Sequence, residues 1–376
     1  SRKEFNKAFN LSAQSKVEIE TKWDLVKLDE VAEIISGGTP DTQNPNFWDG
    51  DICWATLVDT KSKYLYDTSK KISQLGLEKS SAKLLPINTV IFSSRASIGE
   101  VSIAKVATST NQGFKNFICD DSKIHYEYLY EVLKFYAKNI EHLAGGMTFK
   151  EVSKTSIANF KIPLPPLDIQ QKIVQECETV DLAVTTSKSN IQSFQLQLDT
   201  LFNHNNNDQH GIKLKDALSL KAGKFIKASE IQDTYSEGLY PCYGGNNLRG
   251  YVDRFNHEGD YCLVGRQGAL CGNVTYVQGK FYATEHALVV TPLIEMSPKW
   301  LFYYLVKMNF NQYATGVAQP GLSVSNLDNI VLNIPSLAEQ EKIVEQIEAL
   351  EAQIAQAQKV IDDAPAQKQA ILQKYL

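Results

Sequence analysis

The sequence predicts a mixed α+β protein in which two pseudo-repeat globular domains are joined by two long antiparallel coiled-coil helices. Three observations lead to this prediction. The 376-residue chain repeats itself, and apolar residues recur every 3.5 positions in two long segments. Short runs rich in Val and Ile, bounded by Gly or Asn, occupy much of the remainder.

The repeat is clearest where each globular domain ends. At an offset of 170 residues, the string that starts at Pro165 (Pro-Pro-Leu, then Gln-Gln-Lys-Ile-Val) matches the string that starts at Pro335 (Pro-Ser-Leu, then Gln-Glu-Lys-Ile-Val). The same offset reaches back to Gly146 and Gly316. The matched strings elsewhere are Val26-Lys27-Leu28 with Ile212-Lys213-Leu214, Gly37 with Gly223, Ser94-Arg95 with Gly265-Arg266, and Ile98–Val101 with Cys271–Val274. This alignment places Arg95 opposite Arg266.

Both helices carry an apolar seam whose spacing alternates between four and three residues, which is typical of a coiled coil. The seams are Ile173, Cys177, Val180, Val184, Ser187, Ile191, Phe194, Leu198, Leu201 and Ile343, Ile347, Leu350, Ile354, Ala357, Ile361, Ala364, Lys368, Ile371, Tyr375. The simplest partner for each seam is the other helix of the same chain, packed antiparallel. A seam that joins two chains is the alternative. Pro365 should kink or break the second helix because it lacks a backbone N–H.

These patterns divide the chain into five parts: an N-terminal segment (1–22), a first domain (23–164), a central spacer helix (165–208), a second domain (209–334) and a C-terminal spacer helix (335–376). Within the domains, we predict strands at Thr89–Ser93, Gly99–Ile103, Lys115–Cys119, Tyr261–Val264, Asn273–Val277 and Ala287–Val290, and helices at Tyr126–Leu143 and Pro298–Phe310.

Composition excludes several classes of protein. No apolar run reaches the ~18–20 residues needed to span a bilayer, and no secretory leader is evident. The six cysteines form no C-x-x-C pair and lie near no His at zinc-finger spacing, so we expect free thiols in a reducing cytoplasm. The first residue is Ser1, which is consistent with a trimmed, tagged or excised chain. The net charge of −5 argues against a stand-alone, non-specific DNA binder.

Motifs for methyl transfer and ATP hydrolysis are missing from the sequence. Asn44-Pro45-Asn46-Phe47 lacks the second proline of a methyltransferase motif, and no G-x-x-x-x-G-K-[ST] phosphate loop occurs. Gly37-Gly38-Thr39-Pro40 is more simply a tight turn than a phosphate cradle. We therefore expect a chain that is not an enzyme and that holds no cofactor.

Two weak patterns could nevertheless bind a metal. Asp41, Asp59 and Lys61 fit a loose nuclease pattern that could hold Mg²⁺, but they lie in a Gly-, Pro- and Asn-rich segment rather than on adjacent strands. His204 and His210 lie in a polar linker, where solvated side chains are the simpler interpretation. We expect no metal site.

Two unlike globular domains on one rigid spacer suit a split DNA target. A helix of about 37 residues is ~55 Å long, and one DNA turn is ~34–36 Å, so two domains could read one face of a duplex. Because the domains differ in sequence, the half-sites should also differ. The candidate DNA contacts are polar, aromatic and basic residues in predicted loops: Lys61, Lys63, Tyr64, Ser93, Ser94, Arg95, Ser97, Asn111, Gln112, Asn246, Asn247, Arg249, Tyr251, Arg266, Gln267, Lys280, Tyr282 and His286.

Several strings, taken in this order, resemble the specificity subunits of type I restriction–modification enzymes. They are Trp23, Val26–Leu28, Ser36–Pro40, Phe47–Ile52, Trp54, Arg95–Gly99, Asn111–Phe114, Tyr240–Asn246, Val264–Gly268, Cys271–Val274 and the run at 162–174. The resemblance covers nearly the whole chain from about residue 23. It departs from the family at Pro365 and at the Met-less start, which leaves open a module detached from a fused methyltransferase.

The resemblance implies two target recognition domains separated by two long helices that dock two methyltransferase (modification) subunits, with restriction and motor subunits able to join. Such an assembly methylates adenine in a bipartite site and cleaves unmodified DNA. S-adenosylmethionine, ATP and Mg²⁺ would then belong to the partners, and this chain would read double-stranded DNA without catalysing a reaction. The rival hypotheses are a coiled-coil adaptor that reads no DNA and a free-standing nuclease that uses Asp41, Asp59 and Lys61.

Overall fold

The computed structural model describes residues 19–145, 150–202, 211–268, 270–316 and 320–376. Parts of the repeat alignment (Gly146 and its neighbours) and both linker histidines, His204 and His210, lie outside these ranges. The chain forms two compact units. Unit 1 comprises Ser1–Thr186 and Val360–Leu376, and unit 2 comprises Ser187–Lys359.

Unit 1 is built on a five-stranded sheet, a three-stranded sheet and a two-stranded ribbon. Its elements are β1 (Leu25–Lys27), α1 (Leu28–Val31), β2 (Ala32–Ser36), β3 (Trp48–Ala55), β4 (Tyr64–Leu65), β5 (Lys71–Ile72), α2 (Gln74–Glu78), β6 (Val90–Ser93), β7 (Val101–Ala104), β8 (Thr108–Thr110), β9 (Phe114–Cys119), α3 (Tyr126–Phe135), α4 (Ala137–Glu141), α5 (Lys154–Ala158), β10 (Lys161–Pro163) and the start of α6 (Leu167–Leu201). The strand orders are β2-β9-β6-β7-β4, β5-β3-β8 and β1-β10.

Unit 2 repeats this plan with two four-stranded sheets and a ribbon. Its elements are the end of α6, β11 (Ile212–Lys213), α7 (Leu214–Ala217), β12 (Leu218–Ala222), β13 (Tyr240–Gly244), β14 (Asn247–Val252), β15 (His257–Glu258), β16 (Tyr261–Gly265), β17 (Val274–Val277), β18 (Lys280–Ala283), β19 (Ala287–Pro292), α8 (Pro298–Met308), α9 (Val324–Leu327), β20 (Val331–Leu332) and the start of α10 (Leu337–Tyr375). The orders are β12-β19-β16-β17, β14-β13-β18-β15 and β11-β20.

The strand order confirms the internal repeat. β12-β19-β16-β17 in unit 2 corresponds to β2-β9-β6-β7 in unit 1. The Leu28 amide donates a hydrogen bond to the Phe160 carbonyl oxygen at 3.1 Å, and the Leu214 amide donates to the Ile330 carbonyl oxygen at 2.8 Å. The two offsets found in the sequence, 186 at the domain starts and 170 at the domain ends, are therefore both present in the backbone hydrogen bonds.

All six predicted strands are present, with ends that differ by at most two residues. The predicted helix Tyr126–Leu143 is divided at Tyr136, whose φ of −92° and ψ of 11° separate α3 from α4. The predicted helix Pro298–Phe310 ends as an α-helix at Met308, where Asn309 adopts a left-handed conformation (φ 48°) that caps it.

The coiled-coil prediction is confirmed within each unit. In unit 1, the end of α10 packs on the start of α6: the Tyr375 hydroxyl donates to Glu176 at 2.6 Å, and Lys368 Nζ lies 2.8 Å from Asp181. Rising numbers on one helix meet falling numbers on the other, so the pairing is antiparallel. In unit 2, Leu198 at the end of α6 joins the apolar core that contains Ile343 and Ile347 of α10.

The prediction that Pro365 breaks the second helix is wrong, because α10 continues from Leu337 to Tyr375 through the proline. Pro365 lies on an exposed face, whereas Ala364 and Leu372 on either side are 7% and 3% exposed. Packing on both sides of the proline supplies most of the helix stability, so one missing backbone hydrogen bond does not end the helix.

Each long helix begins on a buried glutamine. Gln170 is 0% exposed; its Nε2 donates to the carbonyl oxygens of Pro165 and Lys123 at 2.9 Å, and its Oε1 accepts from the His125 amide at 2.9 Å. Gln340 makes the equivalent contacts in unit 2, with the Ser297 amide at 2.8 Å. These glutamines fix each spacer helix to the α/β core beside it. No helix in the described ranges is long and apolar enough to cross a membrane.

Candidate nucleic-acid interface

The loop after β6 in unit 1 and the loop after β16 in unit 2 occupy the same place in the repeat. In unit 1, the Val152 amide donates a hydrogen bond to the Ser94 carbonyl oxygen at 3.0 Å. In unit 2, the Leu322 amide donates to the Arg266 carbonyl oxygen at 2.9 Å. Because Val152 and Leu322 are 170 residues apart, in the register of the repeat, Ser94 is the counterpart of Arg266.

The next residue in each loop is therefore Arg95 in unit 1 and Gln267 in unit 2. An isolated β-bridge joins Arg95 to Glu151, and the equivalent bridge joins Gln267 to Gly321. The alignment that placed Arg95 opposite Arg266 is thus wrong by one residue.

An insertion in unit 2 explains the error. The amide that closes the unit 1 loop is that of Gly99, which donates to the Ser93 carbonyl oxygen at 3.1 Å; in unit 2, Gly272 donates to Gly265 at 2.8 Å. The second loop spans one residue more than the first. A comparison of sequence strings without gaps cannot place that extra residue.

Both loops turn at a residue with left-handed backbone. Ala96 has a φ of 54° and Gly268 has a φ of 92°, and each directly follows the equivalent residues Arg95 and Gln267. Glycine adopts this conformation without cost, whereas alanine is strained in it by roughly 1–2 kcal/mol. The shared turn presents the preceding side chain, Arg95 or Gln267, at the surface of its unit.

Arg95 belongs to a three-residue ionic cluster. Its Nη2 lies 2.8 Å from Glu151 Oε2, and the buried Lys115 Nζ lies 3.2 Å from Glu151 Oε1. Burial by itself raises the pKa of Glu151, but the hydrogen bonds from Arg95 and Lys115 outweigh it and lower that pKa. Two cations share one carboxylate, so the cluster keeps a net positive charge, as a surface that meets phosphate and base edges requires.

Two predicted contacts in this loop are not in exposed positions. Ser93 is 1% exposed and its hydroxyl donates to the Arg95 carbonyl oxygen at 2.9 Å. Ser94 is 0% exposed and its hydroxyl donates to the Gly113 carbonyl oxygen at 3.0 Å. The expectation of loop exposure is wrong for both serines, because they end a central strand and their hydroxyls bond the adjoining backbone.

Lys63 and Tyr64 also contribute to the fold rather than to a free loop. Lys63 Nζ lies 3.5 Å from the buried carboxylate of Glu131 and 5.4 Å from the centre of the Tyr64 ring. The Tyr64 hydroxyl donates to Glu127 at 2.8 Å, and burial together with that carboxylate raises the pKa of Tyr64. Both side chains face the interior of unit 1.

The other unit 1 candidates lie at the surface. Lys61 and Ser97 are exposed. Gln112 is exposed and its Oε1 accepts a hydrogen bond from the Thr39 hydroxyl. Asn111 is half-buried and its Oδ1 accepts from the Gly113 amide at 2.8 Å, so it shapes the turn beside Arg95.

In unit 2, the structure brings five of the nine predicted residues together. They line one open cleft of about 430 Å³ between the β13–β14 turn and the loop after β16, and they are Asn246, Asn247, Arg249, Gln267 and His286. Asn247 has a left-handed backbone (φ 65°), and its Oδ1 accepts from the Thr275 hydroxyl at 2.8 Å. His286 Nε2 lies 3.2 Å from Glu285. A polar, concave surface of this kind can hydrogen-bond to base edges.

Glycines allow the walls of this cleft to approach one another. A Cβ on Gly265 would collide with the Gly245 carbonyl oxygen, and a Cβ on Gly245 would lie 3.1 Å from the His286 carbonyl oxygen. Only residues without side chains fit between the β13–β14 turn and the strand ends behind it. This close approach places Asn246 beside the loop that carries Gln267.

Arg266 and Gln267 also line a second cleft of about 520 Å³, together with Thr315, Gly321, Ser323 and Ser325. The two clefts share Gln267. Sequence reasoning did not select the residues of this second cleft, nor Glu151 in unit 1. The offset of 170 residues could have indicated Glu151 and Gly321, since it places them at equivalent positions beside the two loops.

Three predicted residues of unit 2 lie away from the first cleft. Tyr282 is 5% exposed and its hydroxyl donates to the Phe225 carbonyl oxygen at 3.2 Å, so its predicted exposure is wrong: it belongs to the core. The Tyr251 ring packs against Tyr235 with centroids 5.4 Å apart. Lys280 is exposed, with its Nζ 4.8 Å from the centre of the Phe255 ring.

The nuclease-like residues have structural partners. Asp59 accepts hydrogen bonds from the Thr56 amide and hydroxyl at 2.8 Å and from the Ser69 amide at 2.7 Å. Burial alone raises the pKa of Asp59, but these hydrogen bonds lower it overall. Asp41 accepts from the Gln43 amide at 3.0 Å. Within the described parts of the chain, no three His, Cys, Asp or Glu residues cluster as a metal site requires, and all six cysteines are unpaired thiols.

Comparison with known proteins gives relatives over most of the chain. The specificity subunit of the type I restriction enzyme EcoprrI from Escherichia coli is 32% identical over 350 residues, which cover 86% of this chain and 85% of that protein. The MjaIX specificity subunit of Methanocaldococcus jannaschii is 33% identical over 171 residues, which cover 44% and 39% of the two chains.

Solved structures share the fold at low sequence identity. The S subunit of a type I restriction–modification system from M. genitalium has a TM-score of 0.57 at 18% identity, covering 96% of this chain and 98% of that one. The corresponding subunit from Thermoanaerobacter tengcongensis has a TM-score of 0.53 at 18% identity, with the same coverage.

The family model described as the type I restriction modification DNA specificity domain matches twice, at residues 20–193 and 207–363. The two matches correspond to the two halves of the repeat. This chain therefore belongs to the family of type I restriction–modification DNA specificity subunits.

Proposed function

We propose that the chain reads a split, asymmetric DNA target for a type I restriction–modification enzyme and catalyses no reaction itself. Residues 23–164 and 209–334 act as the two target recognition domains. Each reads one half-site, and the long helices α6 and α10 hold the two domains on one chain.

One observation carries this proposal: equivalent loops in the two units present different side chains at the same place. Arg95 with its Glu151 and Lys115 partners occupies that place in unit 1, and Gln267 beside a polar cleft occupies it in unit 2. Repeated scaffolds with unlike surface side chains suit two unlike half-sites, since base sequence is read by side chains at the groove.

The acidic spacer helices support a role in assembly. Residues 165–208 carry a net charge of −4 and residues 335–376 carry −3. We propose that these helices dock two methyltransferase subunits, that restriction and motor subunits can join, and that S-adenosylmethionine, ATP and Mg²⁺ are bound by those partners in the cytoplasm. The same partners would supply cationic surface to the DNA, which this acidic chain has in small supply.

The rival hypotheses have less support. A coiled-coil adaptor without DNA readout gives no reason for two polar loops at equivalent positions. A free-standing nuclease would need the carboxylate of Asp59 free to bind Mg²⁺, whereas three hydrogen bonds from Thr56 and Ser69 occupy it.

The test is site-resolved mapping of adenine methylation. DNA is taken from cells that express this chain with its cognate methyltransferase subunit and from cells that express the subunit alone. A split, asymmetric motif that is methylated only with this chain supports the proposal. An unchanged methylation pattern, with the complex shown to form, contradicts it and favours the adaptor hypothesis.

A domain exchange tests which unit reads which half-site. Residues 23–164 are replaced by the equivalent domain of a relative with a different target, and residues 209–334 are left intact. One half of the motif should change while the other half and the methylated adenines of that half remain. A change in both halves would contradict independent reading by the two units.

A further inference from the structure

We propose that Arg95 and Gln267 are equivalent base-reading residues, so that the two half-sites differ at one corresponding position: a G·C pair read by Arg95 and an A·T pair read by Gln267. This inference rests on the proposed function and adds to it the base class that each unit selects.

The equivalence follows from backbone hydrogen bonds, not from sequence similarity. The Ser94 and Arg266 carbonyl oxygens accept from Val152 and Leu322 at 3.0 and 2.9 Å, which fixes the register of both loops. The following residues, Arg95 and Gln267, form the corresponding β-bridges, and each precedes a left-handed turn. Two side chains with the same local backbone approach the same part of a half-site.

In unit 1, the surroundings of Arg95 suit guanine. Glu151 binds one guanidinium nitrogen at 2.8 Å and holds the planar group in one orientation, while Lys115 compensates the carboxylate. Arg95 is 46% exposed, so its remaining donors are available. A guanidinium group with two free N–H donors matches the O6 and N7 acceptors of guanine in the major groove.

In unit 2, the surroundings of Gln267 suit adenine. Its neighbour across the β-bridge is Gly321 instead of Glu151, so nothing at that position would orient a guanidinium group. Gln267 and Asn246 line the same cleft and both carry neutral amides. An amide offers one donor and one acceptor, which match N7 and N6 of adenine.

The adjacent residues are less suited to this role. Ser94 is buried, and its counterpart Arg266 opens onto the second cleft beside Thr315, Ser323 and Ser325. Only one residue in each loop is both at an equivalent position and at the surface next to the candidate cleft.

The experiment exchanges the two readers in the full chain within its complex. The wild-type motif is first mapped by methylation, and duplexes with each base substituted are then compared for binding and methylation. Arg95→Gln should move the preference at one position of the first half-site from guanine towards adenine, by roughly 5- to 150-fold for one bidentate contact. The second half-site should be unaffected.

The reciprocal variant is Gln267→Arg combined with Gly321→Glu, which rebuilds the unit 1 ion pair in unit 2. Room exists for the glutamate, because a Cβ on Gly321 would have only the Arg266 carbonyl oxygen as a neighbour, at 3.9 Å. This double variant should move one position of the second half-site from adenine towards guanine, more strongly than Gln267→Arg alone.

Lys61→Gln is the matched control. Lys61 is an exposed cation of unit 1 outside the loop, and its loss should weaken binding to all duplexes alike. If Arg95→Gln does not accumulate as folded complex, Arg95→Lys replaces it and should relax discrimination at the same position. A folded variant that keeps the wild-type base preference, or loses affinity equally for every base, overturns the inference. The wild-type split motif would stand in that case, so the proposed function is judged separately.

Discussion

Lys368 and Glu131 form a buried ion pair that explains why a lysine interrupts the apolar seam of the C-terminal helix. Lys368 Nζ lies 3.1 Å from Glu131 Oε1, and Glu131 is 2% exposed. Asp181 on α6 adds a second carboxylate at 2.8 Å. The corresponding seam residue in unit 2 is Leu198, which packs into an apolar core. A single polar seam residue of this kind is known to select one register among several.

Lys368→Met should destabilise unit 1 by about 3 kcal/mol, because it leaves the buried Glu131 carboxylate with only Lys63 nearby. The measurement is a urea or thermal unfolding curve of the full chain. Lys359→Met is the control: Lys359 lies on the same helix and is exposed, so its loss should change stability by less than about 0.5 kcal/mol. Equal, small effects of both substitutions would show that the Lys368 pair contributes little.

Gln170→Leu should cost about 2–4 kcal/mol, because it leaves a buried amide and two buried carbonyl oxygens without partners at the start of α6. Hydrogen exchange should show faster exchange of the His125 amide. Gln171→Leu, one residue further on and exposed, serves as the control with little expected effect. If the two variants unfold alike, the glutamine does not hold the helix to the core.

The two left-handed turns predict opposite effects of opposite substitutions. Ala96→Gly should stabilise unit 1 by up to about 1 kcal/mol, since it relieves a φ of 54°. Gly268→Ala should destabilise unit 2 by about 1–2 kcal/mol through backbone strain alone, because no atom lies within 4 Å of the added Cβ. Unfolding midpoints of both variants test this, and changes of the same sign would contradict the assigned conformations.

Glu151 should make the stability of unit 1 depend on pH. Burial raises the pKa of Glu151, but hydrogen bonds from Arg95 and Lys115 lower it below its value in the unfolded chain, which is about 4.3. The carboxylate therefore stabilises the fold above that pH and loses this effect as the pH falls through its folded value. The difference in unfolding midpoint between wild type and Glu151→Gln should be largest near pH 7 and shrink below about pH 4. A difference that stays constant over this range would exclude the ionic role.

The sequence by itself determined the repeat, the spacer helices and most of the strands. These features depend on residues close together in the chain: a 3.5-residue seam makes an amphipathic helix wherever it occurs, and the Pro-Leu-Gln-Lys-Ile-Val strings mark the same junction in both halves. The helix nevertheless passed through Pro365, because burial of Ala364 and Leu372 outweighs one lost hydrogen bond.

The tertiary structure alone decided which residues of the two halves are equivalent and which are free to meet DNA. The match of Arg95 with Gln267 depends on hydrogen bonds to Val152 and Leu322, more than 50 residues away in the chain, and on one inserted residue. Ser94 and Tyr282 are as polar as their exposed neighbours, yet both are buried. Exposure depends on packing between distant segments, and the order of residues along the chain does not record that packing.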